Sequence, residues 1–153
     1  MNMIQKAKEQ VQQLTKQAYA AAVKESLLPE GVTVEPSVEI PKDVSNGDYT
    51  TTFCLAAAKA MKMNPRQVAT ILTEHMALED SYFTSVEIAG PGFMNFRLGD
   101  KWFGDTVTAI ETAGEDYGCS DMLAGRKIMV EFVSANPTGP MHMGNARGGV
   151  LGD

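Results

Sequence analysis

A short apolar run closed by two prolines is the feature that most limits how this chain can fold. Residues 128–133 are almost continuously apolar, which is typical of a strand buried on both faces. Pro137 and Pro140 then interrupt the chain, and the glycine-containing segment 141–149 follows. A strand, a tight loop and a helix start place ligands at the edge of open α/β sheets. We therefore expect a helix N-terminus suited to phosphate here.

The residues before this run predict a different architecture. Apolar residues recur every three or four positions over 4–22, which predicts an amphipathic helix. The patterns that follow predict strands at 32–34, 38–40, 82–88 and 93–98, an extended segment or helix start at 49–52, and helices at 53–62, 64–75 and 100–113. The order predicts an α+β domain over 1–115, an antiparallel sheet with helices. A polar connector at 116–125 separates it from 126–153, which begins a Rossmann-like domain.

Charge and composition limit the possible partners. Thirteen basic and nineteen acidic residues give a net charge of −6, which argues against binding nucleic acid by bulk charge but permits a local contact. No apolar run approaches the roughly 18–20 residues that span a bilayer, so no membrane contact is predicted. Cys54 and Cys119 form no disulfide framework and no metal-binding spacing. A cytoplasmic protein is the resulting expectation.

Several motifs resemble one enzyme family. Residues 130–145 read Val-Glu-Phe-Val-Ser-Ala-Asn-Pro-Thr-Gly-Pro-Met-His-Met-Gly-Asn. This run resembles the nucleotide-binding segment of arginyl-tRNA synthetases, which are class I enzymes with a His-Ile-Gly-His signature. Upstream, Gly-Asp-Tyr-Thr at 47–50, Asn-Pro-Arg at 64–66 and Pro-Gly-Phe-Met-Asn-Phe at 91–96 resemble the family's N-terminal additional domain.

The resemblance implies a reaction and a set of residues for it. Arginine and ATP would form arginyl-adenylate and pyrophosphate, and the arginyl group would pass to tRNA(Arg). By this resemblance His142 and Gly144 bind ATP, and His142 and Asn145 act in catalysis. Asn145 is a further ATP-binding position and stands where the signature has its second histidine. Unlike a histidine ring, its amide cannot carry a positive charge. The positions that would hold L-arginine are Glu131, Ser134 and Asn136. Mg²⁺ is expected with ATP, and no protein-bound metal is expected.

The same resemblance implies that the N-terminal domain binds the D-loop of tRNA. Strand alternation over 93–98 directs Met94, Phe96 and Leu98 to the core, so Phe93, Asn95 and Arg97 share the other face. An aromatic ring can stack on a base, an amide can bind its edge, and an arginine can meet a phosphate or the ring plane. These three residues are the expected tRNA contacts.

Three further expectations concern the extent of the chain. The Lys-Met-Ser-Lys-Ser-type loop and the helical anticodon-binding domain of such synthetases are not in this sequence, so we expect an N-terminal piece of a longer enzyme. These 153 residues alone are expected to catalyse no aminoacylation, and the full-length protein is expected to be a monomer. Without sheet neighbours, strand 128–133 would pack back on the domain, pair with another copy or be poorly ordered.

Three other classes of protein are compatible with the sequence. A small nucleotidyltransferase uses a similar His-x-Gly-His phosphate site, although that signature usually lies near the start of a compact domain. A non-catalytic RNA-binding module would use the N-terminal domain alone. The third class is a plain α+β interaction domain.

Overall fold

The computed structural model describes residues 2–136 and 138–152. The chain divides into two compact units, Met1–Gly118 and Cys119–Asp153, and the boundary falls within the expected connector. Pro137, one of the two prolines that close the predicted loop, lies outside the described residues, as does Asp153 at the end of the predicted Rossmann-like segment.

The first unit is built on a four-stranded antiparallel sheet in the order β1-β2-β4-β3. Its elements in chain order are α1 (Met3–Lys24), β1 (Val38–Glu39), a 3-10 turn (Val44–Asn46), β2 (Tyr49–Thr51), α2 (Phe53–Met61), α3 (Pro65–Glu74), β3 (Phe83–Ala89), β4 (Phe93–Leu98), α4 (Asp100–Ala113) and a second 3-10 turn (Gly114–Asp116). The second unit contains α5 (Met143–Gly152). The α+β prediction is confirmed.

The first helix shows the predicted amphipathic pattern with one shift at its start. Asn2 caps α1 by accepting hydrogen bonds from the backbone N–H groups of Ile4 and Gln5. The buried stripe is Met3, Ala7, Val11, Leu14, Thr15, Ala18 and Ala22. Ile4 was expected in this stripe but is 47% exposed, because Met3, one residue earlier on the helix, occupies the core-facing position.

The segment between α1 and β1 lacks one predicted strand. Residues 32–34 pair with no other strand in the described chain. Side chains of α1 hold this segment instead: the Tyr19 hydroxyl accepts the N–H of Val32 at 3.3 Å, and Gln12 Nε2 donates to the Pro36 carbonyl at 3.0 Å. Because these hydrogen bonds come from side chains rather than a strand, the segment stays irregular.

The core lies between the sheet and the helices α1, α2 and α3. Phe83 packs edge-on against both Tyr49 and Phe96, which joins three strands through aromatic contacts. Cys54 of α2 is buried in this core, and burial raises the pKa of its thiol to about 12. Cys119 is exposed, and both cysteines are free.

The fourth helix spans the predicted residues, but its cap is not the residue best suited to capping by type. Aspartate is a favoured N-cap, yet Gly99 holds the cap position and Asp100 is the first helical residue, where its charge suits the helix dipole. Trp102 Nε1 donates to the Met3 carbonyl at 3.2 Å. This bond joins α4 to the start of α1.

The third helix has the predicted cap and ends at a histidine with two partners. Asn64 accepts the N–H of Arg66 at 2.9 Å, and Pro65 is the first helical residue. At the other end, His75 Nδ1 lies 2.7 Å from the Ile71 carbonyl, and Nε2 lies 3.2 Å from a Glu25 carboxylate oxygen. The Ile71 carbonyl and then the Glu25 carboxylate raise the pKa of His75 above its ordinary value.

This histidine predicts a pH dependence of stability. Since the pKa of His75 is raised in the folded state, the protonated ring stabilises the fold below about pH 6.5, and that stabilisation is lost as pH rises through the folded-state pKa. We expect His75→Gln to reduce the fall in melting temperature between pH 6 and pH 8. Glu25→Gln should reduce it less, because the Ile71 carbonyl remains. Equal pH slopes for wild type and His75→Gln would contradict this assignment.

The structure shows no strand at 128–133, where the sequence predicted one. These residues are irregular and pair with no strand among the described residues, and Met129 is 92% exposed. A parallel strand is stable only when neighbours pair with its edges and cover both faces. Within the second unit, α5 lies against Phe132: a Cβ added at Gly148 would be 2.7 Å from the Phe132 carbonyl oxygen. The glycine therefore permits close packing of the helix on this segment.

Candidate functional site

The first unit carries a cavity of about 230 Å³ on the face of the sheet opposite the core. We call it the sheet cavity. The residues that line it are Pro41, Asn46, Thr50, Ala89, Phe93 and Asn95. Two of the three expected tRNA contacts, Phe93 and Asn95, therefore lie together, and four lining residues were not among the sequence candidates.

The strand register explains why these side chains meet. Thr50 of β2 lies directly opposite Asn95 of β4, and Ala89 of β3 lies opposite Phe93. Directly opposed residues of an antiparallel pair point to the same face of the sheet. Asn95 also lies opposite Glu87, and Thr50 lies opposite Glu39, so a carboxylate flanks this pair on each side.

Asn95 is more enclosed than strand alternation predicts. The sequence places it on an outward face, but the residue is only 6% exposed, because the loop before β2 brings Pro41 and Asn46 over the strand. Its carboxamide has no hydrogen-bond partner among residues 2–136 and 138–152. Its polar atoms are therefore available to a group that enters the cavity.

The third expected contact, Arg97, has a different place. Its Nη2 donates to the Ser45 carbonyl at 2.8 Å, its Nε lies 3.8 Å from a Glu87 carboxylate oxygen, and it does not line the sheet cavity. Ser45 precedes Asn46, so this bond holds the loop that forms one wall. Asp43 begins the same turn by accepting the N–H of Ser45, and that hydrogen bond lowers the pKa of Asp43.

The second unit has its own cavity at the start of α5, with a volume of about 330 Å³. We call it the α5 cavity. The described residues that line it are Ser134, Ala135, Asn136, Thr138, Gly139, Pro140, Met141, His142 and Asn145. Ser134, Asn136, His142 and Asn145 were predicted as site residues and are brought together here. Glu131 is exposed and does not line this cavity, and neither does Gly144.

Two of these residues cap the helix reciprocally. His142 Nδ1 accepts the N–H of Gly144 at 3.1 Å, and Asn145 Oδ1 accepts the N–H of His142 at 3.2 Å. This is the geometry of a capping box. Because Nδ1 accepts a hydrogen bond, the ring proton lies on Nε2, which can donate to an anion.

Within the capping box, Asn145 uses only one of its two polar atoms. Its amide oxygen is engaged by the backbone of His142, and its amide nitrogen remains a donor. An imidazolium in this position could not accept that backbone hydrogen bond. Asn145 thus supplies a helix cap at the position where the resemblance expects a second histidine.

Gly144 leaves room for the imidazole of His142. A Cβ at this residue would lie 2.9 Å from Cε1 and 3.0 Å from Nδ1 of His142. Any larger residue here would require the ring to move. Glycine allows the ring to turn back onto the helix start.

Comparison with known proteins identifies the family. Residues 4–98 match the family model of the arginyl-tRNA synthetase N-terminal domain, which is more than half of the chain. The chain belongs to the arginyl-tRNA synthetase family. Arginine–tRNA ligase of Acetivibrio thermocellus is 46% identical over 152 residues, covering 99% of this chain and 27% of that protein. Arginine–tRNA ligase of Caldanaerobacter subterraneus is 45% identical over the same shares.

A solved structure supports the fold of this synthetase-family chain. The crystal structure of arginyl-tRNA synthetase from Plasmodium falciparum matches with a TM-score of 0.52 at 8% identity, covering 65% of this chain and 17% of that chain. The chain thus spans about a quarter of the length of the curated relatives it matches, 27% for the two ligases above.

Two further features of this synthetase-family chain concern metals and membranes. Within residues 2–136 and 138–152, no group of three or more His, Cys, Asp or Glu side chains could hold a metal ion. No helix in these ranges combines the length and the apolar character needed to cross a bilayer.

Sequence reasoning missed Thr50 and Asn46 as site residues. The pattern over 49–52 was compatible with either a strand or a helix start, so the face occupied by Thr50 was open. Asn46 reaches the cavity through a loop whose path depends on Arg97 and on the hydrogen bond from the N–H of Asp48 to the Phe96 carbonyl at 2.8 Å. No local pattern in the synthetase sequence predicts that path.

Proposed function

We propose that this chain is the N-terminal part of a cytoplasmic arginine–tRNA ligase that activates L-arginine with ATP and transfers it to tRNA(Arg). In this proposal residues 1–115 bind the tRNA elbow through its D-loop, 116–125 connect, and 126–153 begin the Rossmann-like catalytic domain. Segment 128–133 becomes a strand when the rest of that domain supplies its neighbours. The full-length enzyme is a monomer, and Mg²⁺ enters with ATP, held by its phosphates.

The sheet cavity is the observation that carries the RNA-binding role. It combines an aromatic wall, Phe93, with the unpartnered amide of Asn95, which suits one unstacked base. The flanking carboxylate of Glu39, the pairing of Arg97 with Glu87 and the net charge of −6 disfavour phosphate at this point. We propose that Phe93 stacks on a D-loop base and Asn95 binds its edge, while Arg97 positions the Asn46 loop rather than contacting RNA.

The α5 cavity supports the ATP-dependent role. His142 directs a donor nitrogen away from the helix it caps, and a helix N-terminus favours negative charge. We propose that His142 and the free amide nitrogen of Asn145 hold ATP phosphate oxygens, while Gly144 fixes the imidazole. Ser134 and Asn136 are proposed to bind L-arginine, with Glu131 joining them as the carboxylate partner of its cationic groups once the segment is ordered as a strand.

A non-catalytic RNA-binding module is the second candidate, because the sheet cavity lies wholly within the first unit. The identity to arginine–tRNA ligases over 99% of the chain, including the His142 segment, favours the ligase. The same identity disfavours a nucleotidyltransferase.

The RNA-binding role is tested with Phe93→Ala. We expect the 153-residue chain to bind a tRNA(Arg) D-arm stem-loop, and this change to weaken the affinity at least about fivefold, because stacking contributes about 1–3 kcal/mol per base. Phe93→Leu should also weaken binding, since it keeps apolar volume but loses the ring. Affinity is measured by fluorescence anisotropy at two salt concentrations.

Phe103→Ala is the matched control for this experiment. Phe103 is another phenylalanine, 54% exposed on α4 and outside the sheet cavity. It should bind the stem-loop like wild type. Equal losses in Phe93→Ala and Phe103→Ala, or a change under about fivefold for Phe93→Ala, would contradict the stacking role.

A further inference from the structure

One hydroxyl in the sheet cavity stands apart from the other polar groups of this protein. Among residues 2–136 and 138–152, Thr50 Oγ1 is the only side-chain nitrogen or oxygen that is fully shielded from solvent and has no hydrogen-bond partner, whereas the unpartnered carboxamide of Asn95 keeps slight exposure. Buried polar groups are normally paired, because an unpaired one loses its hydration without replacement. An exception in a native fold therefore requires an explanation.

The other threonines show that the exception is not a property of the residue type in this chain. Six helical threonine hydroxyls donate to the carbonyl four residues earlier: those of Thr15, Thr70, Thr73, Thr106, Thr108 and Thr112. Thr51, next to Thr50, accepts the N–H of Phe53 at 3.3 Å. Thr50 differs from all of these in leaving its hydroxyl without a partner, and the residue is one of those that line the sheet cavity.

The surroundings of Thr50 are those of a recognition site. It lies directly opposite Asn95, so the two Cβ atoms are about 4.5–5.5 Å apart as in other opposed antiparallel pairs. Its β-branched side chain is stiff, which holds the hydroxyl in place. Phe93 supplies an apolar wall to the same cavity. A few polar groups converging in an apolar pocket are typical of a ligand site.

The two polar side chains together are more selective than either alone. A carboxamide carries one donor group and one acceptor, and by turning over it can match several base edges. A fixed hydroxyl beside it adds a third contact whose place depends on the base. The Glu39 carboxylate beside the pair disfavours a phosphate as the occupant, and the nearby Arg97 cation is already paired with Glu87.

We propose that the Thr50 hydroxyl is a specificity-determining contact of the sheet cavity and, with Asn95, reads the edge of the one nucleobase held there. The proposal rests on the proposed RNA-binding role of Phe93 and Asn95. It also explains why the hydroxyl is unpaired. The hydroxyl has no hydrogen-bond partner in the free protein, and it forms a hydrogen bond with the base when the base enters.

Thr50→Val tests this proposal because it removes the hydroxyl at nearly constant shape. The probes are D-arm stem-loops that differ only in the base at one loop position, with all four bases tested at each position. Wild type should prefer one base at one position. Thr50→Val should reduce that preference by about three- to tenfold, the worth of one hydrogen bond. Thr50→Ser, which keeps the hydroxyl, should retain most of it.

The melting temperature of Thr50→Val shows whether the hydroxyl serves base recognition or the stability of the fold. Since the hydroxyl has no partner in the free chain, Thr50→Val should melt at the same temperature as wild type or higher. A lower melting temperature that Thr50→Ser restores would show a structural hydroxyl and overturn the proposal. The absence of any base preference in wild type would overturn it as well.

The outcomes also distinguish a failure of the Thr50 proposal from a failure of the proposed RNA-binding function. If Phe93→Ala loses binding while Thr50→Val keeps the full wild-type preference, the role of Thr50 is wrong and the RNA-binding function stands. If wild type fails to bind the stem-loops, or Phe93→Ala binds as well as wild type, the RNA-binding function fails and the role of Thr50 fails with it.

Discussion

Replacing His142 with alanine is expected to slow arginine activation by about 100- to 1,000-fold in a full-length synthetase that carries this chain, because removing one preorganised donor to a developing charge costs about this much in other enzymes. The donor is Nε2, in its proposed contact with the ATP phosphates. The ring is fixed by the bond from the Gly144 N–H to Nδ1 at 3.1 Å. The measurement is arginine- and tRNA-dependent pyrophosphate exchange.

Two further variants distinguish the effect of the imidazole on activity from its effect as a helix cap. His142→Asn keeps a side chain that caps helices well but has no ring nitrogen, so it should be nearly as slow as His142→Ala while melting closer to wild type. Met143→Ala changes the next residue, which is 84% exposed, and should retain activity. Wild-type exchange rates in His142→Asn would contradict a role for the ring, and a full-length protein inactive without any substitution would favour the RNA-binding module.

Gly47→Ala is expected to destabilise the first unit by roughly 2–4 kcal/mol, combining backbone strain with overpacking. Gly47 has a φ of +85°, and a Cβ there would lie 2.8 Å from the Phe96 carbonyl oxygen. That oxygen also accepts the N–H of Asp48, so neither strand nor loop can shift without breaking the connection. Urea unfolding followed by circular dichroism measures the loss.

Gly31→Ala is the matched control, because Gly31 has the same φ of +85° and nothing within 4 Å of an added Cβ. It should cost only the strain of the left-handed backbone, about 1 kcal/mol. Equal destabilisation by the two changes would mean that the contact with Phe96 does not matter. Gly47→Ala should also weaken D-arm binding beyond Gly31→Ala, since it displaces the loop carrying Asn46.

The α-helical part of the fold followed from local sequence patterns. Periodicity and capping residues predicted α1, α2 and α3 to within a few residues, because helix hydrogen bonds and caps form between near neighbours. Segments 32–34 and 128–133 carried equally suggestive strand patterns and formed no strand. A strand depends on a distant partner for its hydrogen bonds, and a local pattern does not reveal whether one is present.

The two candidate sites differ in the same respect, in how far apart their residues lie in the sequence. Ser134, Asn136, His142 and Asn145 are close in sequence, so a motif could place them in one cavity. The sheet cavity instead depends on the register between β2 and β4 and on the loop held by Arg97. Alternation placed Phe93, Asn95 and Arg97 on one face, as the register has them, but it did not reveal that Arg97 binds the Ser45 carbonyl and does not line the cavity.

The sequence by itself determined the helices, the α+β order, the family resemblance and the residues at the start of α5. Only the tertiary structure decided that Asn95 is enclosed, that Arg97 supports a loop, that Thr50 has an unpaired hydroxyl and that 128–133 lacks a strand partner. The physical reason is distance along the chain. Interactions within a few residues are encoded by local spacing, whereas burial and pairing between residues far apart in the sequence exist only after the sheet has formed.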